Sequence, residues 1–438
     1  MIRRRLLLAC FLALMSGTHG AAQTAAAPPA PLQLATLQRR AAERDPRAGE
    51  IALYGQQSDL RTANIEAERL PSVAVGGRAQ YQSDVPHLPF AAFAPGTPAG
   101  PPRETFDASV RVDERLIDAS RAPRLALEGA QGAESQARVR VALFTLRQQV
   151  NDAFFTAALL QARGDALRAA ASDLEARLRE MAVRVREGAA LAGDAAAIEA
   201  ALLERRQEEA DVAASRRAAL ARLASLTGDP IGDDAVLATP SLAGEVAAAR
   251  EHLASLRARP EYTVFARTRE RLARQEALAA AQDLPRLTAF GVAGVGRPGL
   301  NFIGNTWETY WMSGLQVEWR AWTWNSRARE KDALALQRQI VAADEAAFTA
   351  EIERAVQNDL AAIDHLTDTL AADDRIIVLR EAIDRGAHAR FRENVITAAD
   401  YLDRATELLN ARFARAAHEI ELAQASARFL NTLGIEVP

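Results

Sequence analysis

The sequence predicts a mainly α-helical chain with a small β part, built twice on one plan: strand, strand, long helix, short helix. Three observations predict it. First, one stretch occurs twice at constant spacing, RVREGAALAGDAAAIEAALL over 184–203 and RFRENVITAADYLDRATELL over 390–409. Arg184 pairs with Arg390, Glu187 with Glu393, Asp194 with Asp400 and Leu203 with Leu409. A repeat of about half the chain length means one architecture built twice. Second, apolar residues recur at Leu146, Val150, Ala153, Ala157, Leu160, Gly164, Leu167, Ala171, Leu174, Leu178, Met181 and Val185, every third and fourth position without a break. That is a heptad seam, which implies left-handed coiled-coil packing. Third, four short segments alternate apolar and polar residues, the period of a strand.

The N-terminus reads as a secretory signal over residues 1–23. It has Arg3, Arg4 and Arg5, then an apolar run over 6–15, then small residues at Gly20, Ala21 and Ala22. The run is too short to span a bilayer as a helix. Cys10, the only cysteine, lies inside that run, whereas a lipid-bearing cysteine should follow it. Removal of the signal leaves no cysteine, hence neither disulfides nor thiolate metal sites. The whole chain has a formal net charge of −4, and loss of the three arginines makes the remainder more acidic. That argues against nucleic acid as a partner, because such proteins present a basic face.

Taken in order, residues 25–31 form an Ala/Pro leader. Residues 32–70 read as helix, interrupted near Asp45-Pro46 because the residue before proline resists helical dihedrals. A β-hairpin spans 71–117, with Val73, Val75, Gly77, Ala79 and Tyr81 on one face of its first strand. A long helix covers 123–187, and its seam alone spans about 60 Å at 1.5 Å per residue. A short helix covers 194–227, with Asp194 as its N-cap. Residues 229–244 form a linker. The second unit, 245–438, has a helix over 245–283, a hairpin over 285–322, a long helix over 326–385 and a short helix over 397–433. The seam of its long helix is interrupted by Asp359 and Asp373.

Ten-residue amphipathic strands with tyrosine or tryptophan near their ends, in a secreted chain, fit an outer-membrane barrel. Four strands cannot close a barrel of useful diameter, and open edges cannot face lipid. Several copies must pool strands, and three copies give twelve. The order and duplication of Leu70-Pro71-Ser72, Leu284-Pro285-Arg286, the two turn stretches, the endings Leu226-Thr227-Gly228 and Leu433-Gly434, and the two hairpins resemble the TolC-like family of outer-membrane efflux and secretion channels. The likeness covers essentially the whole mature chain. It implies a homotrimer with a twelve-stranded barrel in outer-membrane lipid, a periplasmic coiled-coil tunnel and an equatorial region formed by the linker and terminal segments. It also implies two partners: a periplasmic adaptor protein, docking at turns that contain Arg184, Gly188, Asp194, Arg390 and Asn394, and an inner-membrane transporter of the RND or ABC type. The chain departs from the family at Asn394, where glycine is common, and at Ile396, where some members carry arginine. A periplasmic adaptor, the other class with long coiled-coil hairpins, would need one helical hairpin flanked by β-rich segments; here the order is inverted and duplicated.

Nothing in the sequence calls for covalent chemistry, a cofactor or a resident metal. Gly294-Val295-Gly296-Arg297-Pro298-Gly299 matches the G-x-G-x-x-G pattern, but a strand follows it where a nucleotide site needs a helix. Lys331, the only lysine, has no glycine-rich loop before it. The histidines His87, His252, His365, His388 and His418 are scattered without metal-ligand spacing. Asp400 and Asp403 lie three apart, on one face of a helix. The family resemblance implies that they line the tunnel's periplasmic aperture, against the plainer reading of a solvated face with an N-terminal helix charge.

Overall fold

The structure is a computed structural model that describes residues 30–86, 100–251, 253, 258–301 and 304–438. The secretory signal at 1–23 and much of the first hairpin loop lie outside the described residues.

The chain begins with β1 (Leu32–Gln33), α1 (Leu34–Arg44), a single 3-10 turn (Pro46–Gly49) and α2 (Glu50–Ala67). The break falls at Asp45, which is extended (φ −61°, ψ 128°) and accepts a hydrogen bond from Arg47 N–H. The first hairpin is β2 (Ser72–Tyr81) and β3 (Glu104–Ile117); α3 (Arg121–Arg186) and α4 (Ala192–Thr227) follow. A short β4 (Leu237–Ala238) then leads to α5 (Ala243–Glu251) and α6 (Pro260–Ala281). The second hairpin is β5 (Arg286–Arg297) and β6 (Glu308–Glu318), before α7 (Ser326–Arg392) and α8 (Ala398–Leu433).

Three features differ from the sequence reading. The helix expected over 245–283 is divided, because Pro260 starts α6 afresh and Arg259 before it is extended (φ −67°, ψ 139°). The linker is not wholly irregular: Leu32 and Gln33 pair in parallel with Leu237 and Ala238. A two-residue ladder across half the chain has no local signature. The second long helix runs to Arg392, beyond the expected 385, so that both long helices end at matching repeat positions, Arg186 and Arg392.

α3 and α7 contain 66 and 67 residues, roughly 100 Å each at 1.5 Å per residue. α3 pairs with α4 and α7 with α8. Their contacts form two separate cores. The larger core joins Leu34, Val150, Phe154, Leu220, Leu237, Ile363 and Phe429, so both chain halves and the linker meet there. The smaller core lies at the far end of the helices, around Met181, Ile198, Phe391 and Tyr401. The two aspartates that interrupt the α7 seam are buried with partners on α8. Asp359 accepts from Arg428 Nε (2.6 Å) and Thr432 Oγ1 (2.9 Å), and Asp373 lies 2.6 Å from His418 Nδ1. A buried polar pair in a coiled coil costs stability but fixes which residues face each other.

The hairpins join into one antiparallel sheet, β2-β3-β5-β6. Register places Val75, Val110, Ala293 and Trp311 in one row, and Arg78, Asp107, Gly296 and Glu308 in another on the opposite face. One face is therefore apolar, with Val75 82%, Trp311 75% and Val317 68% exposed. The other carries Arg78, Asp107, Arg111, Asp113, Arg286 and Glu318. β6 ends at Glu318, short of the expected Trp322; Trp319, Trp322 and Trp324 follow it and are exposed. No helix among the described residues is long and apolar enough to cross a membrane.

Candidate functional site at the paired helical turns

The far ends of the two helical pairs end in the same turn twice. In the first, Gly188 N–H bonds to the Val185 carbonyl and Ala189 N–H to that of Arg184. In the second, Asn394 N–H bonds to the Phe391 carbonyl and Val395 N–H to that of Arg390. Both are Schellman closures, which need a left-handed residue after the helix. Gly188 (φ 74°) and Asn394 (φ 58°) supply it. Asparagine is among the few side-chain-bearing residues that visit this region, so the departure from glycine preserves the turn.

The Asn394 side chain also does what glycine could not. Its Oδ1 accepts from Arg184 Nη2 at 2.9 Å, and its Nδ2 donates to the Ala189 carbonyl at 3.3 Å. Arg184 Nη2 donates as well to the Arg392 carbonyl at 2.9 Å. The two turns are thus clasped within one chain. Arg390, the repeat counterpart of Arg184, plays no such part: its Nε donates to Gly386 on its own helix.

Asp194 corrects the sequence reading. The N-cap of α4 is Leu191, without a side-chain cap. Asp194 instead accepts from Ala398 N–H at 3.1 Å, so it caps the neighbouring helix α8. α8 starts at the matching repeat position, Ala398 against Ala192, but has a side-chain cap of its own. Thr397 is that N-cap: its Oγ1 accepts from Asp400 N–H, and the Asp400 carboxylate accepts from Thr397 N–H, a reciprocal capping box. The Thr397 side-chain and backbone hydrogen bonds hold the Asp400 carboxyl below its usual range. Asp400 and Asp403 are both exposed. Ile396, at the second departure, packs partly buried against the small core.

Tyr401, between the two aspartates, was not singled out by sequence reasoning. It is fully buried, stacks on Phe391 (5.3 Å between centroids, 9° between planes) and carries the Arg177 guanidinium 4.8 Å from its ring centre. Arg177 Nε donates to Asp173 Oδ2 at 2.7 Å. Burial pushes the Tyr401 phenol up. Burial, together with the Arg177 charge, pushes the nearby His388 imidazole down. The α8 sequence offers a heptad frame through Leu402, Leu409, Phe413 and Ala416, but the buried positions in its first turns are Tyr401 and Leu408. A straight helix drifts about 20° per heptad against a 3.5 repeat, so one frame does not hold over a helix of this length. Among the described residues, no group of three or more His, Cys, Asp or Glu side chains could hold a metal ion.

No family model matches the chain, and no curated protein matches it. Solved structures do. VceC of Vibrio cholerae, an outer membrane protein, shares 15% identity with a TM-score of 0.66, over 92% of this chain and 96% of that one. CusC, solved in a study of transmembrane channel formation, shares 14% with a TM-score of 0.68, over 93% of each. The open state of the MtrE outer membrane channel of Neisseria gonorrhoeae shares 18% with a TM-score of 0.64, over 92% and 89%. Duplicated hairpins, paired long helices and matching turns are thus one shared arrangement, and the chain has the fold of the TolC-like outer-membrane efflux channels.

Proposed function

We propose that this protein is the outer-membrane duct of a tripartite efflux or type I secretion system. It is a homotrimer that passively passes cargo, delivered through a periplasmic adaptor by an inner-membrane transporter of the RND or ABC type. The observation that carries the reading is the four-stranded sheet with one apolar and one charged face and two unpaired edges, β2 and β6. Lipid tolerates no open edge. An even number of strands, antiparallel throughout, makes β6 and β2 run in opposite directions, so β6 of one protomer can continue the antiparallel order with β2 of the next. Three copies of four strands make twelve. The apolar face then meets outer-membrane lipid and the charged face lines the lumen. The hairpin loops lie outside the cell, since outer-membrane barrels put their long loops there.

The helices become the periplasmic tunnel wall. The turns with Arg184, Gly188, Asp194, Arg390 and Asn394 are the adaptor-docking surface. Asp400 and Asp403 of three protomers bring six carboxylates to the tunnel mouth, where low-dielectric walls focus a negative potential. Such a duct performs no covalent chemistry. Recording from purified protein in planar bilayers tests the reading. Discrete, cation-selective conductance steps are expected, and their absence from a correctly assembled trimer refutes it.

A further inference from the structure

The helical part of one chain holds two repeats, each a long helix paired with a short one. Between the repeats α8 lies on α3, so the order across the chain is α7, α8, α3, α4. Three contacts trace the α3–α8 line. Gln424 Nε2 donates to Asp152 Oδ1 at 3.5 Å. The Arg163 guanidinium lies 5.9 Å from the Phe413 ring centre, and that of Arg177 lies 4.8 Å from the Tyr401 ring centre. This junction joins the long helix of the first repeat to the short helix of the second. The converse junction, long helix of the second to short helix of the first, pairs α7 with α4. Those are the two ends of the order, so one chain cannot make it.

The step from Arg184 to Arg390, 206 residues, carries one junction onto the other. On α7 it gives Asn358, Thr369 and Ile383; on α4 it gives Ala218, Gln207 and Ala195. A face that awaits a partner should be bare in the single chain. Four of these six residues are exposed, and Thr369 and Ala195 are half-buried. The same lines carry more exposed apolar surface at three- and four-residue spacing: Ile376 and Leu379 on α7, Leu203, Ala210, Ala214 and Ala221 on α4. That is coiled-coil spacing. We propose that α7 of one protomer packs antiparallel on α4 of the next along these lines, so that a second copy of the chain covers both faces. The two faces differ, and such head-to-tail contacts close into rings instead of stopping at a pair. This rests on the trimer proposed above and says where its helices meet. The two junctions are alike in place and unlike in chemistry. Asp173 and Arg177, an ion pair on α3, become Leu379 and Ile383 on α7. The Arg184–Asn394 clasp becomes Arg390 and Gly188, and glycine has no side chain to complete it. The contact between chains is thus held by apolar burial.

The test links cysteines with a short bifunctional maleimide in membranes from cells that carry the full chain. Asn358→Cys with Ala218→Cys should give linked species of two and three chains, and neither cysteine alone should. Asn358→Cys with Gln207→Cys, displaced by about 16 Å along α4 at 1.5 Å per residue, should leave chains single. Asp152→Cys with Gln424→Cys should link within one chain; larger species from that pair remove the template and overturn the inference. Light scattering on the detergent-extracted variants reports assembly. Trimers whose Asn358→Cys, Ala218→Cys chains stay single, or link equally well at the displaced position, overturn the inference and leave the duct reading standing. Monomers overturn the trimer, and the inference with it.

Discussion

Asp400 shows how one carboxylate can serve two purposes. Its capping hydrogen bonds with Thr397 fix the start of α8, while its exposure leaves its charge available to the proposed tunnel mouth. Asp403 has no hydrogen bond or ion pair among the described residues, so the two substitutions separate the roles. Asp400→Ala should lower thermal stability and weaken cation selectivity; Asp403→Ala should weaken selectivity alone. Planar-bilayer reversal potentials and thermal melts of the single and double variants check this, and full selectivity in an assembled double variant would rule out the ring. Because the cap lowers the Asp400 pKa, its charge, and the cap with it, persist above the ordinary value of 3.8 and are lost only as pH falls through a lower one. Tyr401 makes a second contrast. Its hydroxyl is buried without a partner. Tyr401→Phe should therefore raise stability by roughly 1 kcal/mol, while Tyr401→Ala should lose about 3–5 kcal/mol.

Glu134 on α3 is buried and holds Arg138 (2.7 Å), Arg271 (2.5 Å) and Thr268 (3.0 Å). Burial pushes its carboxyl up, but the Arg138, Arg271 and Thr268 bonds outweigh that and hold it below its ordinary 4.5. A depressed folded-state pKa gives stability that is present above the unfolded value and lost as pH falls through the folded one. Glu134→Gln should therefore be less stable at neutral pH, and should show a smaller further loss on acidification below about 4.5. Chemical denaturation at a series of pH values reads both.

At the scale of elements, the clasp between the two turns is the feature most specific to this chain. Asn394→Gly keeps the left-handed turn but removes the side-chain bonds to Arg184 and Ala189. Asn394→Ala loses both the bonds and a residue suited to φ 58°, which costs roughly 1–2 kcal/mol. Arg184→Ala removes the other half. All three should speed amide exchange at Val395 and Ala398. Only Asn394→Ala should also destabilise the turn itself, seen at Glu393 and Asn394. Exchange rates at Ala398 that stay at wild-type values in all three would show that the clasp does not hold the turns together. The two hairpins and the two helical pairs were legible in the sequence, because strand and helix periodicities are written in neighbouring residues, whereas the β1–β4 ladder was not. The Asp45 break and the Schellman turn at Asn394 were legible too, since proline and left-handed residues act locally. The clasp, the Asp194 cap on α8 and the burial of Tyr401 were not. Each depends on two helical pairs approaching over some 200 residues of chain. Asp359 and Asp373 looked like seam defects for a related reason, since their partners Arg428, Thr432 and His418 lie on α8, the other helix of the same pair.

At the scale of the molecule, the described residues of a single chain bury two helical cores but leave both faces of the sheet bare and both edges unpaired. That imbalance is the physical reason for proposing a trimer, and closure of β6 on β2 between protomers is the central claim. Paired cysteines placed in turn along the two edges on one face, for example Gly76→Cys with Met312→Cys on the charged face, test it most directly in a chain whose only native cysteine is Cys10. After oxidation in intact membranes, the account predicts covalent species of two and three chains at one register and its neighbours, with nothing larger. Chains that stay single at every register, or a ladder that continues past three, would contradict it.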